Sequence, residues 1–185
     1  MYIANENKNT MQVLETKTMK VLASWPLAPC VHPTGVMLDR KTMRIFVGCS
    51  KTSVVVDANN GTIVANLTNG DGVDALGWDA ERKLIYIPAG QSGNVTVVHQ
   101  DSPDKYTTEA TIETMRGAKT IAVDPVTHRA YAVAIERGPA PVPAAPPAGA
   151  AGAAGAAGAA PPTGARGGRG GPGPILGVWF MAISH

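Results

Sequence analysis

The chain has 185 residues, 21 of them glycine and 15 proline, and a formal charge of +2 at pH 7. The stretch 138–174 is almost wholly Gly, Ala and Pro and cannot pack a core, which leaves about 140 residues to fold. Residues 137–185 carry Arg137, Arg166 and Arg169 and no acid, so the rest holds 13 basic against 14 acidic residues, a balance that argues against a nucleic-acid surface.

Taken in chain order, the first element is a strand that opens at once, Tyr2 to Asn5 within "MYIAN". Asn5, Glu6, Asn7 and Lys8 then interrupt the place where the apolar part of a signal peptide would lie, so none is expected in the chain as written. Strand candidates follow at 11–14 and 20–23. Next come "GVMLDRKTMRIFVGC" at 35–49, "ALGWDAERKLIYIPA" at 75–89 and "TIAVDPVTHRAYAVA" at 120–134. Each of these three is an apolar strand ending in Asp, a polar turn, and a second strand centred on an aromatic. The anchors Asp39, Asp79 and Asp124 are 40 and 45 residues apart, and Phe46, Tyr86 and Tyr131 each follow seven residues later. Tyr2, 44 residues before Phe46, falls in the same column.

Two more strands follow each pair: 53–56 and 62–67 after Phe46, 94–98 and 106–112 after Tyr86. Val, Ile and Thr dominate them, with Asp, Asn and Gly between, as in "DANNG" at 57–61, where Gly61 supplies positive φ. Four short strands every 40 to 45 residues predict an all-β fold, a partial β-propeller of four-stranded antiparallel blades.

The strand cores YIAN, FVGC, YIPA and YAVA, with a third strand of "TVxVVD" type, resemble the YVTN-repeat (YncE-like) β-propellers. The likeness covers 1–136 and extends to "HPTGVMLD", "GDGVDALGWD" and "QDSPDK". It implies the propeller fold and an exported location, periplasmic or extracellular, for a full-length parent. For most members no activity is established.

The apolar run "ILGVWFMAI" at 175–183 stands where the last unit needs its third strand. On this reading 1–136 are blades, 137–174 a disordered loop insert, and 175–185 a strand of the last blade. The first unit lacks its first strand and the last unit its fourth, so the chain ends duplicate each other and about three and a half blades remain unclosed. The expectation is the C-terminal part of a larger propeller, with self-association through the open blade faces as the competing reading. The insert's "GAAGAAGAAGAA" lacks the proline of a collagen triple helix, and the two arginines of "ARGGRGG" give little attraction for RNA. No apolar run is long enough to cross a membrane, the longest being the eleven residues from Ile175, broken by Gly177.

Cys30 precedes the first strand of a blade and Cys49 ends its second. Antiparallel pairing sets these side by side, in position for a disulfide; two buried free thiols are the alternative. Asp39, Asp79 and Asp124 recur in every blade, as a structural turn requires and a catalytic site does not. His32, His99, His128 and His185 fall in different columns without metal-ligand spacing and read as surface residues, so neither metal nor cofactor is expected. Propellers bind at the loops entering the first strand and those joining the second to the third. These contribute His32, Asp71, Asp74, Arg116 and Lys119, with Gln91 and Ser92 from the second set. The function expected is a non-catalytic binding or scaffold propeller taking an unknown small molecule or protein at the channel mouth. The alternative is part of a lactonase-like or quinone-dependent dehydrogenase propeller with its catalytic residues elsewhere.

Overall fold

A computed structural model describes residues 1–139 and 172–183. Every regular element among them is a strand, and the strands form four antiparallel sheets, each the blade of an unclosed β-propeller. The first sheet holds β1 (Tyr2–Asn5), β2 (Thr10–Leu14) and β3 (Val21–Pro26). The second holds β4 (Val36–Asp39), β5 (Arg44–Val47), β6 (Thr52–Asp57) and β7 (Ile63–Thr68). The third holds β8 (Gly77–Asp79), β9 (Leu84–Ala89), β10 (Asn94–Ser102) and β11 (Lys105–Glu113). The last places β12 (Thr120–Asp124), β13 (Arg129–Arg137) and β14 (Ile175–Ile183) side by side in that order.

Two compact units divide the chain. One comprises 1–135 with 178–185, the other 136–177. Within the second, Gly138 N donates to Pro174 O at 2.8 Å and Arg137 Nη1 to Gly173 O at 3.4 Å. Most of the insert expected at 137–174, together with His185, lies outside the described residues.

Strand alternation explains the core of the first unit, because successive residues point into opposite blade junctions. Ile45, Val47, Val54 and Val56 pack toward the first sheet, against Met11, Tyr2 and Trp25. Phe46 and Val55, one residue out of step, meet Ile85, Ile87 and Val98 of the third sheet. Tyr86, Val95 and Val97 then meet Ala130, Ala132, Ala134 and Ile183 of the fourth. Phe46 sits 4.8 Å from Trp78 and edge-on to Tyr106 at 6.2 Å between ring centroids. Burying each such side chain contributes about 1.5–3 kcal/mol.

The Asp anchors close the hairpin turns, as expected. Asp39 Oδ1 accepts from Lys41 N and Asp124 Oδ1 from Val126 N, each at 2.9 Å, and Asp79 Oδ1 accepts from Glu81 N at 3.1 Å. Four residues after each Asp, the chain passes through the left-handed region at Met43, Lys83 and His128, with φ of 54°, 56° and 57°. His128 departs from the surface role expected of it. Its side chain is 17% exposed, and Nδ1 lies 2.9 Å from Oδ2 of Asp79, one blade back.

Candidate functional site

The loops entering β4, β8 and β12, with those after β1, β5 and β9, meet at one end of the blades. Their backbones are fastened across the junctions. Thr34 Oγ1 donates to Val73 O at 2.9 Å, Ala75 N to Lys119 O at 3.1 Å, and Gly117 N to Gly90 O at 2.8 Å. Gly72 is required here, since its φ is +78° and an added Cβ would stand 2.8 Å from Gln91 N.

These loops enclose a cavity of about 800 Å³ lined by Glu6, His32, Thr34, Ser50, Gly72, Val73, Asp74, Gly90, Gln91, Gly117 and Lys119. Lys119 Nζ is 2.9 Å from Asp74 Oδ2, with side chains 57% and 39% exposed. His32 Nδ1 faces Glu6 Oε1 at 3.8 Å, and His32 is held at φ +53° while its N donates to Asn9 Oδ1 at 2.9 Å. Each charged pair places a cationic or protonatable nitrogen beside a carboxylate, and both remain open to solvent. Such a lining can hold a ligand through several hydrogen bonds and both signs of charge.

Of the seven residues expected at the channel mouth, His32, Asp74, Gln91 and Lys119 therefore line one cavity. Asp71 lines an adjoining hollow of about 510 Å³, which His32, Ser50 and Gln91 also border. Ser92 faces Asp71, accepting from its N through Oγ at 2.8 Å, and so ties the two loops together. Arg116 lines neither space; its Cγ lies beside Gly93, 3.2 Å from where a Cβ would stand. Glu6 and Ser50 escaped the sequence reading. Both follow the column aromatic by four residues, after Tyr2 and Phe46, in the same loop class that supplied Gln91.

Cys30 and Cys49 form a disulfide with Cα atoms 5.5 Å apart, which fits an oxidising compartment. Both are buried, Cys30 in the loop that carries His32 and Cys49 just after β5. Among the described residues no group of three His, Cys, Asp or Glu side chains could hold a metal ion. No helix among them is long and apolar enough to cross a membrane.

At the opposite end of the second and third blades, a cleft of about 270 Å³ is bordered by Asp39, Thr42, Trp78, Lys83 and Gln100. Asp39, Thr42 and Gln100 are bonded to one another and to Tyr106 beside the cleft. Gln100 Nε2 donates to Thr42 Oγ1 at 3.3 Å and Tyr106 Oη at 3.1 Å, Thr42 Oγ1 donates to Asp39, and Tyr106 Oη donates to Pro103 O at 2.7 Å. Burial pushes the Tyr106 phenol up to about 12. Beside it Arg44 joins the blades, reaching Asp57 at 3.0 Å and Asp104 at 2.7 Å. The hydrogen bond to Asp104 is the main cause holding the guanidinium pKa above its usual value.

No family model and no curated protein sequence matches the chain. Solved structures of similar fold do. Hydrazine synthase of Kuenenia stuttgartiensis superposes with a TM-score of 0.63 at 14% identity, over 72% of this chain and 38% of that one. The dihydro-heme d1 dehydrogenase NirN gives 0.57 at 11% identity, over 71% and 29%. A chain of the mitotic checkpoint complex gives 0.59 at 18%, over 69% and 40%. This chain thus spans two fifths or less of each neighbour's length. At such identities the likeness establishes the fold, a partial β-propeller.

Proposed function

We propose that the chain is a non-catalytic binding module of the exported YVTN-repeat class, and that it takes a small polar ligand at the channel mouth. The observation that carries this reading is the cavity of about 800 Å³ into which four sheets send loops bearing Glu6, His32, Asp74, Gln91 and Lys119. Its volume suits a small molecule, and its balanced charges suit a zwitterion such as a free amino acid or dipeptide. The disulfide supports a periplasmic or extracellular setting.

The test is a thermal-shift screen of the full chain against the free amino acids and a set of dipeptides at millimolar concentration. At a concentration 100-fold over Kd, a binding ligand stabilises by about 2.7 kcal/mol and raises Tm by several degrees. The shift is expected to vanish in the Asp74→Ala/Lys119→Ala double variant. No shift from any member, or one that persists in the double variant, overturns the ligand assignment. Part of an enzyme is the second reading, favoured by two fold neighbours named for catalysts. Turnover of a screened compound by the purified chain would establish it instead.

A further inference from the structure

The left-handed residue of each hairpin turn stands at a blade junction, and the three junctions fill that place differently. At the first, Met43 packs onto the apolar cluster of Met11 and Ile45. At the third, His128 closes on the preceding sheet, with Nδ1 2.9 Å from Asp79 Oδ2 and Nε2 3.5 Å from Glu81 Oε2. At the second, Lys83 takes the position of His128 and Asp39 that of Asp79. Among the described residues no hydrogen bond or ion pair joins these two, and both border the cleft of about 270 Å³ between the second and third sheets.

Four charged side chains border this cleft, two of each sign. The carboxylates are already engaged within the chain. Asp39 accepts from Lys41 N and Thr42 Oγ1, and Asp101 is bonded to His99 Nδ1 at 2.8 Å and Thr107 Oγ1 at 2.7 Å. The cations are free: among the described residues neither the Lys41 nor the Lys83 ammonium has a hydrogen bond or ion pair. Their backbones are nonetheless fixed, since Lys41 N donates to Asp39 Oδ1 and Gln100 N donates to Lys83 O, each at 2.9 Å. The apolar border is Trp78, half-buried, whose ring is held by the buried Phe46 at 4.8 Å between centroids.

We infer that the cleft is a second binding site, one that takes a small aromatic carboxylate. The ring lies against Trp78, and the carboxylate is met by Lys41 of the second sheet's hairpin and Lys83 of the third's. The volume of about 270 Å³ suits a single ring, below the roughly 300–1,000 Å³ of pockets for larger ligands. Anion selectivity follows from which charges are spoken for, because an incoming cation finds only carboxylates with partners already in place. This site lies at the end of the blades opposite the mouth and is independent of the ligand proposed there.

Benzoate is the probe, titrated into the full chain labelled with ¹⁵N while the indole N–H signals of the three tryptophans are followed. The Trp78 signal, identified by its loss in Trp78→Phe, should move saturably with a Kd on the order of 1 mM, as expected for so small a ligand, while the Trp25 signal stays in place. Lys41 and Lys83 are exposed, so the Lys41→Gln/Lys83→Gln chain should keep its spectrum and bind benzoate about tenfold more weakly or worse. Sodium chloride at about 1 M, which screens charges beyond roughly 3 Å, should weaken binding to the unaltered chain in the same sense. Benzylamine, with the same ring and the opposite charge, should leave Trp78 unmoved. The Asp74→Ala/Lys119→Ala chain, altered at the mouth, should bind benzoate with the same Kd. No movement of Trp78, a Kd indifferent to the lysine replacements or to salt, equal binding of benzylamine, or loss of binding in the mouth variant would each overturn the inference.

Discussion

Replacing Cys30 and Cys49 together by alanine isolates the contribution of the disulfide. The bond closes a loop of sequence separation 19, and the chain-entropy relation for a loop of that length gives about 3 kcal/mol. A second loss adds to it. Both sulfurs lie in the cluster of Leu27, Ile45, Val47 and Val54, where removing buried atoms leaves a void. Domains of this size are stable by about 5–15 kcal/mol in total, so the double variant forfeits a large share. With a urea m-value of about 1–3 kcal/mol/M, the midpoint should fall by at least 1 M. Urea unfolding followed by tryptophan fluorescence reads this, because Trp25 packs on the same cluster. Reducing the wild-type protein should reproduce most of the loss. Alkylation of the denatured, unreduced protein is the direct check, and should modify no thiol before reduction and both afterwards. A midpoint shift under 0.3 M, roughly a tenth to a third of the entropic expectation, would refute the claim that the bridge constrains the unfolded chain.

Two further predictions concern single side chains. Among the described residues the buried Tyr86 hydroxyl has no hydrogen-bond partner, and burial raises its pKa, whereas Tyr2 in the same column donates to Ala58 O at 2.8 Å. Tyr86→Phe should therefore leave stability unchanged or raise it by up to about 1 kcal/mol, while Tyr2→Phe should cost about that much; thermal melts of the pair decide it. Asp57 is held below the ordinary carboxylate range chiefly by the Asn59 backbone N–H, with smaller help from the Asn59 side chain and Arg44. A depressed carboxylate stabilises fully above its unfolded pKa of about 3.9 and loses that contribution as pH falls through the folded value. The stability gap between wild type and Asp57→Asn should hold from neutral pH to about 5 and shrink below about 4, and a gap constant with pH would refute the assignment.

The fold was legible because each blade repeats its instructions locally. The turn Asp binds backbone two residues on, and strand alternation needs only the residue's own position. Left-handed residues at Met43, Lys83 and His128 were not legible, since none is Gly or Asn and the strain is imposed by the Asp turn. At the mouth, His32, Asp74, Gln91 and Lys119 could be named from loop class alone, and extending the column would have named Glu6 and Ser50. Contacts between blades were beyond reach. His128 meets Asp79 across 49 residues and Arg44 meets Asp104 across 60, and each depends on how one sheet is set against the next.

The candidate site depends on how neighbouring blades meet. Its loops are positioned by bonds within their own blade, such as Thr34 N to Gly48 O, and by bonds to the neighbouring blade, Thr34 Oγ1 to Val73 O and Ala75 N to Lys119 O. Covering by a neighbour also sets local burial. Asp39 and Asp79, each followed by another blade, are 6% and 3% exposed, whereas Asp124 of the last sheet is only half-buried. The same position thus changes environment with its neighbour. The position of each mouth loop and the burial of each turn Asp thus both depend on the neighbouring blade, through the backbone bonds that cross the junctions.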